Sequence, residues 1–215
     1  MTQKTKILLV RHGLSLSNEQ RTFTGQLDIG LSETGKKQAE LVTKFVTENY
    51  RVDQVYSSDL SRAVDTVKGI AEKSGKSVIK EKAFREIYGG AWEGKTPEEL
   101  ERDHNQDYRN WKADVGRAHC SKGESFEEVM NRAYERLVEI AERDIGKTIV
   151  IGTHAGVIRG LQCKFQGVDV KDMKSVPWTT NASVTEITYQ NGKFKEEKIS
   201  QDHYLIGLIT ELKAF

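Results

Sequence analysis

Two uninterrupted apolar runs, each stopped by a histidine and a glycine, stand out in the hydrophobic pattern of the chain. The first covers residues 7–10 and ends in Arg11-His12-Gly13; the second covers residues 148–152 and ends in Thr153-His154-Ala155-Gly156. Short apolar runs that stop at a breaker are typical of strands buried on both faces of a sheet. Ligands of open α/β sheets bind at the carboxyl ends of the strands, so both histidines are predicted to lie at that edge.

Elsewhere in the chain, apolar residues recur mostly at helical spacing. Apolar stripes predict helices over residues 39–46, 60–71, 129–141 and 157–165. Ser32, the Ser57-Ser58-Asp59 triplet and Ser125 are expected to cap three of them. Further strands are predicted over 52–56, 77–80, 184–189 and 194–199, the last two joined by the hairpin signal Asn191-Gly192. This alternation predicts an α/β fold, a three-layer α/β/α sandwich whose mainly parallel sheet carries an antiparallel edge hairpin.

Three segments fall outside this regular pattern. Residues 14–31, rich in Ser, Thr, Asn and Gly, are expected to form a loop. The capping box Thr96-Pro97-Glu98-Glu99 opens a polar stretch, and we expect residues 95–123 to be a lid-like helical insertion over the catalytic edge. The alternative for that stretch is a solvated surface hairpin. The apolar tail, 205–215, is expected to pack on the body, so that residues 1–215 form one domain.

Charge and cysteine content narrow the classes of protein. The chain has 215 residues, with 33 Lys plus Arg against 32 Asp plus Glu. This balance argues against nucleic-acid and membrane-surface partners, which select a basic excess. Cys120 and Cys163 lack the spacing of a metal or disulfide framework, no stretch is long and apolar enough to span a membrane, and residues 1–6 do not resemble a signal peptide. We therefore expect a cytoplasmic protein; its oligomeric state stays open.

Several stretches resemble the histidine phosphatase superfamily, the phosphoglycerate-mutase-like proteins. The resemblance begins in residues 11–18, where Ser15 stands in place of the Thr of most relatives, and continues through Phe23-Thr24-Gly25 and residues 31–35. Residues 57–63 resemble the second motif of the family, residues 84–94 its acidic loop, and residues 176–183 its late active-site segment. The resemblance thus covers most of the chain, and it implies the same α/β/α fold.

The resemblance also implies a phosphoryl-transfer site. Its catalytic residues would be His12, Glu86, Arg11, Arg62 and His154. Its further phosphate contacts would be Asn18, Thr24, Gly25 and Ala155. In this arrangement neutral His12 attacks phosphorus, the cations stabilise the oxygens, and Glu86 protonates the leaving group and then activates water. The arginines are expected to disfavour protonation of His12, and Gly13 to turn the backbone and let a ligand approach.

The residues favour a phosphatase but leave three further functions open. The expected enzyme is a phosphomonoesterase that takes phosphorylated small molecules, releases inorganic phosphate and uses neither metal nor cofactor. A phosphoglycerate mutase is the main competing function, although the chain has no Arg-Arg pair and the basic residues of the insertion are interleaved with acids. A catalytically silent phosphate-binding module and a metal hydrolase using His12, His154 and Glu86 also stay open; the neighbouring arginines argue against the metal. The particular substrate is left open.

Overall fold

The computed structural model describes residues 3–210, apart from the side chain of Asn105, and its centre is one six-stranded sheet. The strands are β1 (Thr5–Arg11), β2 (Gln54–Ser57), β3 (Val78–Lys80), β4 (Thr148–Thr153), β5 (Val184–Gln190) and β6 (Lys193–Gln201), in the order β3-β2-β4-β1-β5-β6. The first four are parallel, and β5 and β6 add an antiparallel hairpin at one edge. Asn191 and Gly192 turn that hairpin with φ values of 53° and 75°.

Helices cover both faces of the sheet. They are α1 (Leu16–Gln20), α2 (Glu33–Asn49), α3 (Ser61–Lys73), α4 (Pro97–Asp103), α5 (Asn105–Ala113), α6 (Phe126–Arg143) and α7 (Ala155–Gln166), with 3-10 turns at Lys82–Phe84, Gly90–Trp92, Val115–Arg117 and Val170–Ser175. Along β1, Leu8 and Val10 pack with the core under α2 and α3, whereas Ile7 and Leu9 pack with the core under α6 and α7. Both faces of β1 are buried, which explains its uninterrupted apolar run, and the predicted α/β/α sandwich is confirmed.

The register of the two central strands brings the two histidines together. β1 and β4 are adjacent and parallel, with Arg11 paired to Thr153. His12 and His154 are the next residues of each strand, and their ring centroids lie 5.1 Å apart. The prediction that both lie at the carboxyl edge of the sheet is confirmed.

Two local predictions are wrong. Residues 14–31 are not all loop, because the side chains of Ser15 and Asn18 form a reciprocal capping box that starts α1. Helix α3 is not capped by the preceding triplet: Ser58 accepts only the N–H of Leu60, at 3.4 Å, and the N–H of Ser61 donates to Asp28 Oδ1 at 2.7 Å. The capping carboxylate thus comes from a distant loop. The predicted caps of α2, α4 and α6 are present.

The insertion packs against the body through aromatic rings. Tyr108 and Trp111 of α5 are 3% and 5% exposed. Trp111 makes edge contacts with Phe23 and Trp92, at centroid distances of 5.4 and 5.5 Å. These two rings therefore do not belong to a solvated hairpin.

The tail only partly follows its prediction. Leu205 is fully buried, whereas Ile206 and Ile209 are largely exposed. The predicted packing of residues 211–215 falls outside the described residues. Among residues 3–210, no helix has both the length and the apolar character needed to cross a bilayer.

Candidate active site

A cavity of about 140 Å³ opens where β1 and β4 end and α7 begins. It is lined by Arg11, His12, Asn18, Phe23, Thr24, Gly25, Arg62, Glu86, Ile87, Trp111, Val115, Phe126, Ala155, Gly156 and Trp178. Of the nine predicted site residues, eight line this cavity, and the ninth, His154, lies against His12. The fold therefore gathers into one place residues that are far apart in the sequence.

His12 is held as a neutral imidazole with one nitrogen free. Its Nδ1 lies 2.7 Å from the carbonyl oxygen of Gly13, which can only accept, so Nδ1 carries the proton and Nε2 keeps its lone pair. Burial lowers the pKa of His12 well below its usual range, and the Arg62 and Arg11 guanidiniums lower it further. The expected direction is correct, but burial is a larger cause than the arginines named from the sequence.

Arg11 and Arg62 are buried guanidiniums with donors to spare. Arg62 donates from its two Nη atoms to the carbonyl oxygens of Gly25 and Leu27, each at 2.8 Å, and Arg11 donates to Thr179 O. Within residues 3–210 the buried Nε of both arginines has no hydrogen-bond partner. Burial lowers the pKa of each to about 10, partly opposed by the charge of Glu86, so both stay protonated at neutral pH. Two unpaired cationic donors next to His12 suit an anion.

His154 has a third buried nitrogen without a hydrogen-bond partner, in addition to the Nε atoms of Arg11 and Arg62. Its Nε2 lies 2.9 Å from Ser58 Oγ. Ser58 Oγ already accepts the N–H of Leu60, and its own proton finds an acceptor if it donates to Nε2. We therefore assign the ring proton to Nδ1, which is buried without a partner among the described residues. Burial, followed by Arg62, lowers the pKa of His154 well below its usual range, so it acts as a neutral donor.

Glu86 is held by two backbone N–H groups, one from the next residue of its own loop and one at the start of α7. Its Oε1 accepts from Ile87 N at 2.9 Å and its Oε2 from Gly156 N at 3.2 Å. A Cβ on Gly156 would lie 2.3 Å from Glu86 Oε1, so only glycine leaves room for the carboxylate. Ala155, one position earlier, lines the cavity as expected. Glu86 does not pair with the adjacent Arg85, because Arg85 forms a bidentate ion pair with Asp59.

The three loop residues expected to contact phosphate are partly occupied by contacts within the protein. Asn18 Oδ1 accepts the N–H of Ser15 in the α1 capping box, which leaves its Nδ2 to face a ligand. Thr24 Oγ1 donates to Ser17 Oγ at 2.7 Å. Gly25 binds Arg62 through its carbonyl oxygen. All three line the cavity, and Thr24 and Gly25 also support the site through these contacts.

Two supporting residues had no role assigned from the sequence: Thr66 was missed, and Glu93 was included only as part of the acidic loop, residues 84–94. Thr66 Oγ1 accepts the N–H of Gly13 and donates to Arg62 O, joining α3 to the end of β1. Its position one turn after Arg62 was the available signal. Glu93 Oε1 accepts the N–H groups of Gln26 and Gly89, at 2.7 and 3.0 Å, and so fixes the turn that binds Arg62.

The predicted role of Gly13 needs correction. It does not adopt a positive φ. A Cβ there would lie 2.6 Å from the backbone oxygen of Gly35, so the residue permits a close approach of α2 and not of a ligand. Ser58, in turn, was known only as part of a motif, and its contact with His154 has no local sequence signal.

The α/β/α sandwich brings two neutral histidines, two arginines and a carboxylate together at its strand ends. This arrangement is typical of enzymes that bind and transfer phosphoryl groups. A family model described as "Histidine phosphatase superfamily (branch 1)" matches residues 7–202, and the chain belongs to this superfamily.

Relatives that are named as phosphatases support the assignment to this superfamily. The chain is 36% identical over 165 residues, 77% of its length and 78% of the relative's, to phosphoserine phosphatase 1 of Hydrogenobacter thermophilus. It is 29% identical over 195 residues, 90% of its length and 80% of the relative's, to the metal-independent phosphoserine phosphatase of Arabidopsis thaliana. The solved structure of a mycobacterial glucosyl-3-phosphoglycerate phosphatase superposes with a TM-score of 0.84 at 25% identity, covering 93% of this chain and all of the other. The chain is thus an enzyme of the phosphatase class.

Proposed function

We propose that the protein is a metal-independent phosphomonoesterase for small phosphorylated metabolites that works through a phosphohistidine on Nε2 of His12. The observation that carries this proposal is the free Nε2 lone pair of a neutral His12 beside three buried, unpaired nitrogens, those of Arg11, Arg62 and His154. Buried unpaired donors are rare in folded proteins. An anionic phosphoryl group would satisfy all three at once.

In the first step His12 Nε2 attacks phosphorus as the bond from phosphorus to the leaving oxygen breaks. Protonated Glu86 gives its proton to that oxygen, so the alcohol leaves neutral. Water then attacks the phosphohistidine, ionised Glu86 takes a proton from it, and the P–N bond returns its electrons to His12. Arg11, Arg62 and His154 hold the three equatorial oxygens in both steps.

We propose metal independence because arginines can supply the positive charge that the reaction needs. Residues 3–210 contain no group of three or more His, Cys, Asp and Glu side chains that could hold a metal ion. The charge that a divalent ion would supply comes here from Arg11 and Arg62. The metal independence in the name of the Arabidopsis relative supports the same proposal.

We propose hydrolysis over mutase chemistry because most cations of the insertion are already paired. Lys112 and Arg109 contact Glu101, and Lys95 and Arg102 contact Asp103. A mutase holds a doubly charged substrate while it reorients, which requires further cations. Water is therefore the expected acceptor of the phosphoryl group.

We further propose that residues 95–123 act as a lid-like insertion of a single domain spanning 1–215. Support comes from Trp111 and Val115 of this segment, which line the cavity. A cytoplasmic location is also proposed, since Cys120 and Cys163 are buried free thiols.

Trapping of the phosphoenzyme tests the mechanism. Wild-type protein in EDTA is mixed briefly with radiolabelled p-nitrophenyl phosphate and quenched in alkali, where phosphohistidine survives and phosphoserine does not. We expect acid-labile label on His12 and full turnover in EDTA, with both absent from His12→Ala. Activity that EDTA removes and Mg²⁺ or Zn²⁺ restores would contradict metal independence, and near wild-type turnover by His12→Ala would contradict the nucleophile.

The mutase function has its own assay. The enzyme is given 3-phosphoglycerate with a trace of 2,3-bisphosphoglycerate, and both 2-phosphoglycerate and free phosphate are measured. Fast isomerisation with negligible phosphate release would overturn the hydrolase assignment.

A further inference from the structure

The part of the cavity beside Glu86 is lined by apolar side chains, which form its wall. Its apolar lining consists of Phe23, Ile87, Trp111, Val115, Phe126 and Trp178. The Cβ position that Gly156 lacks lies 2.3 Å from Glu86 Oε1 and 2.8 Å from a ring carbon of Phe126, so the acid and the ring adjoin. From Phe126 the wall continues to Trp111 and then to Phe23, with centroid distances of 5.4 Å at each step. A leaving oxygen that receives its proton from Glu86 has its alcohol against these rings.

Positive charge is confined to the other part of the cavity. Among the described lining residues only Arg11 and Arg62 are basic, and both adjoin His12. The nearby cations of the insertion are outside the lining and ion-paired, Lys112 with Glu101 and Arg117 with Asp172. A carboxylate on the alcohol would lose its hydration against these apolar rings without a cation to pair with. An uncharged apolar or aromatic group would gain from the same burial.

Trp178, one of the rings of this wall, is supported by Arg159, which lies outside the cavity lining. The Arg159 guanidinium lies 4.3 Å from the ring centroid of Trp178. Arg159 also donates to Val176 O and Met173 O, at 2.6 and 2.8 Å, in the segment that leads to Trp178. Arg159 is 4% exposed and is not part of the cavity lining. Its Nη1 has no hydrogen-bond partner among the described residues, and in this proposal the guanidinium supports the Trp178 ring rather than a ligand.

We infer that the preferred substrate is a phosphomonoester of an uncharged alcohol with an apolar or aromatic body, selected by this wall against carboxylate-bearing alcohols. The inference rests on the proposed function and deepens it. It also separates this chain from its named relatives, because phosphoserine and glucosyl-3-phosphoglycerate both carry a carboxylate. The similarity to these relatives predicts that the reaction at His12 is shared. The apolar lining beside Glu86, which we call the leaving-group wall, predicts that the alcohol of the substrate is different.

Matched alkyl phosphates test the selectivity without changing the reacting bond. The kcat/KM values of 3-phenylpropyl phosphate and 4-phosphonooxybutanoate are compared, since both release a primary alcohol and differ in the distal group. We expect at least a tenfold preference for the phenyl substrate, and a similar one over O-phosphoserine. Equal or greater activity on the carboxylate substrates would overturn the inference. Absence of turnover with all of these and with p-nitrophenyl phosphate would instead contradict the proposed function.

Variants locate the selectivity in the wall. Val115→Lys places a cation in the lining and should shift the phenyl-to-carboxylate ratio at least tenfold towards carboxylate. Ala113→Lys is the matched control, because this exposed residue lies outside the lining, and its ratio should stay within twofold of wild type. Circular dichroism and the midpoint of urea unfolding report whether each variant is folded.

A second variant covers the case in which Val115→Lys fails to fold. Trp178→Ala, at a partly exposed position, should lower the ratio by about fivefold or more through loss of activity on the phenyl substrate. An unchanged ratio in Trp178→Ala would overturn the assignment of the wall. A carboxylate preference that disappears in Arg159→Met would also overturn it, since Arg159 would then be a carboxylate receptor.

Discussion

The two active-site histidines expose opposite hydrogen-bonding groups because their neighbours differ. The carbonyl of Gly13 accepts from His12 Nδ1, which leaves a lone pair on Nε2. The hydroxyl of Ser58, assigned as the donor to His154 Nε2, leaves a proton on Nδ1. One imidazole can thus attack phosphorus while the other donates to a phosphoryl oxygen. A single hydrogen bond to each ring decides this division of roles.

Gly156 offers the sharpest test of Glu86 at this scale. We expect Gly156→Ala to push the carboxylate away, because the new Cβ would lie 2.3 Å from Glu86 Oε1. Moving the carboxylate away from the leaving oxygen should lower kcat/KM for an alkyl phosphate by about 10- to 100-fold. Turnover of p-nitrophenyl phosphate should fall much less, since its leaving group needs little protonation.

Gly160→Ala is the control on the same helix, where the nearest atom to the new Cβ would be Met130 Cβ at 3.3 Å. It should leave both substrates within a few-fold of wild type. Equal losses on alkyl and aryl substrates in Gly156→Ala would contradict the role of Glu86 as the acid.

At the scale of elements, the turn over residues 25–27 connects Arg62 with the acidic loop. Its carbonyls bind Arg62. The side chain of Gln26 donates to Glu86 O and accepts from Arg85, so the same turn also contacts the acidic loop. Glu93 holds it through the N–H of Gln26. The position of Arg62 therefore depends on Glu93, an acid outside the cavity lining.

We expect Glu93→Ala to weaken phosphate binding by releasing this turn. Two N–H groups lose their acceptor, and the cost of about 1–1.5 kcal/mol corresponds to about a tenfold rise in the inhibition constant of inorganic phosphate. Glu93→Gln keeps a carbonyl acceptor and should restore most of the affinity. Glu98→Ala, which removes an exposed carboxylate from α4, controls for net charge. A purely electrostatic role would make the Gln variant tighter than wild type, and this outcome would contradict the positioning role.

At the scale of the whole molecule, burial of two neutral histidines ties stability to pH. The folded state holds the pKa of His12 and of His154 well below 6.5, the ordinary value that both regain on unfolding. Below about pH 6.5 the unfolded chain therefore binds protons that the folded chain does not, and stability falls as the pH falls. Above that pH the contribution is constant.

We expect the free energy of unfolding, measured with urea, to drop by about 3 kcal/mol between pH 7.5 and 5.5, roughly half from each histidine. In His12→Gln this drop should be about half as large. The exposed His203 provides the control, because His203→Gln should leave the wild-type drop unchanged. An equal drop in wild type and His12→Gln would show that His12 is not held neutral.

The sequence by itself determined the elements and the chemistry-bearing residues. Apolar runs and stripes located the strands and helices, because burial on one face or both imposes a period on nearby residues. Motif residues such as Arg11, His12, Arg62 and Glu86 could be named for the same reason: each motif is local, and its residue types match what phosphoryl transfer needs. Adjacency of His12 and His154 followed from placing two strands in one parallel sheet.

Only the tertiary structure decided how these residues are held. The cap of α3 by Asp28, the contact of Ser58 with His154 and the approach of Gly35 to Gly13 each join distant parts of the chain. The leaving-group wall likewise combines rings from a loop, two helices and a late turn that lie far apart in the chain. Desolvation, tautomer choice and cavity shape depend on everything packed around a group, and local sequence patterns carry only the part contributed by near neighbours.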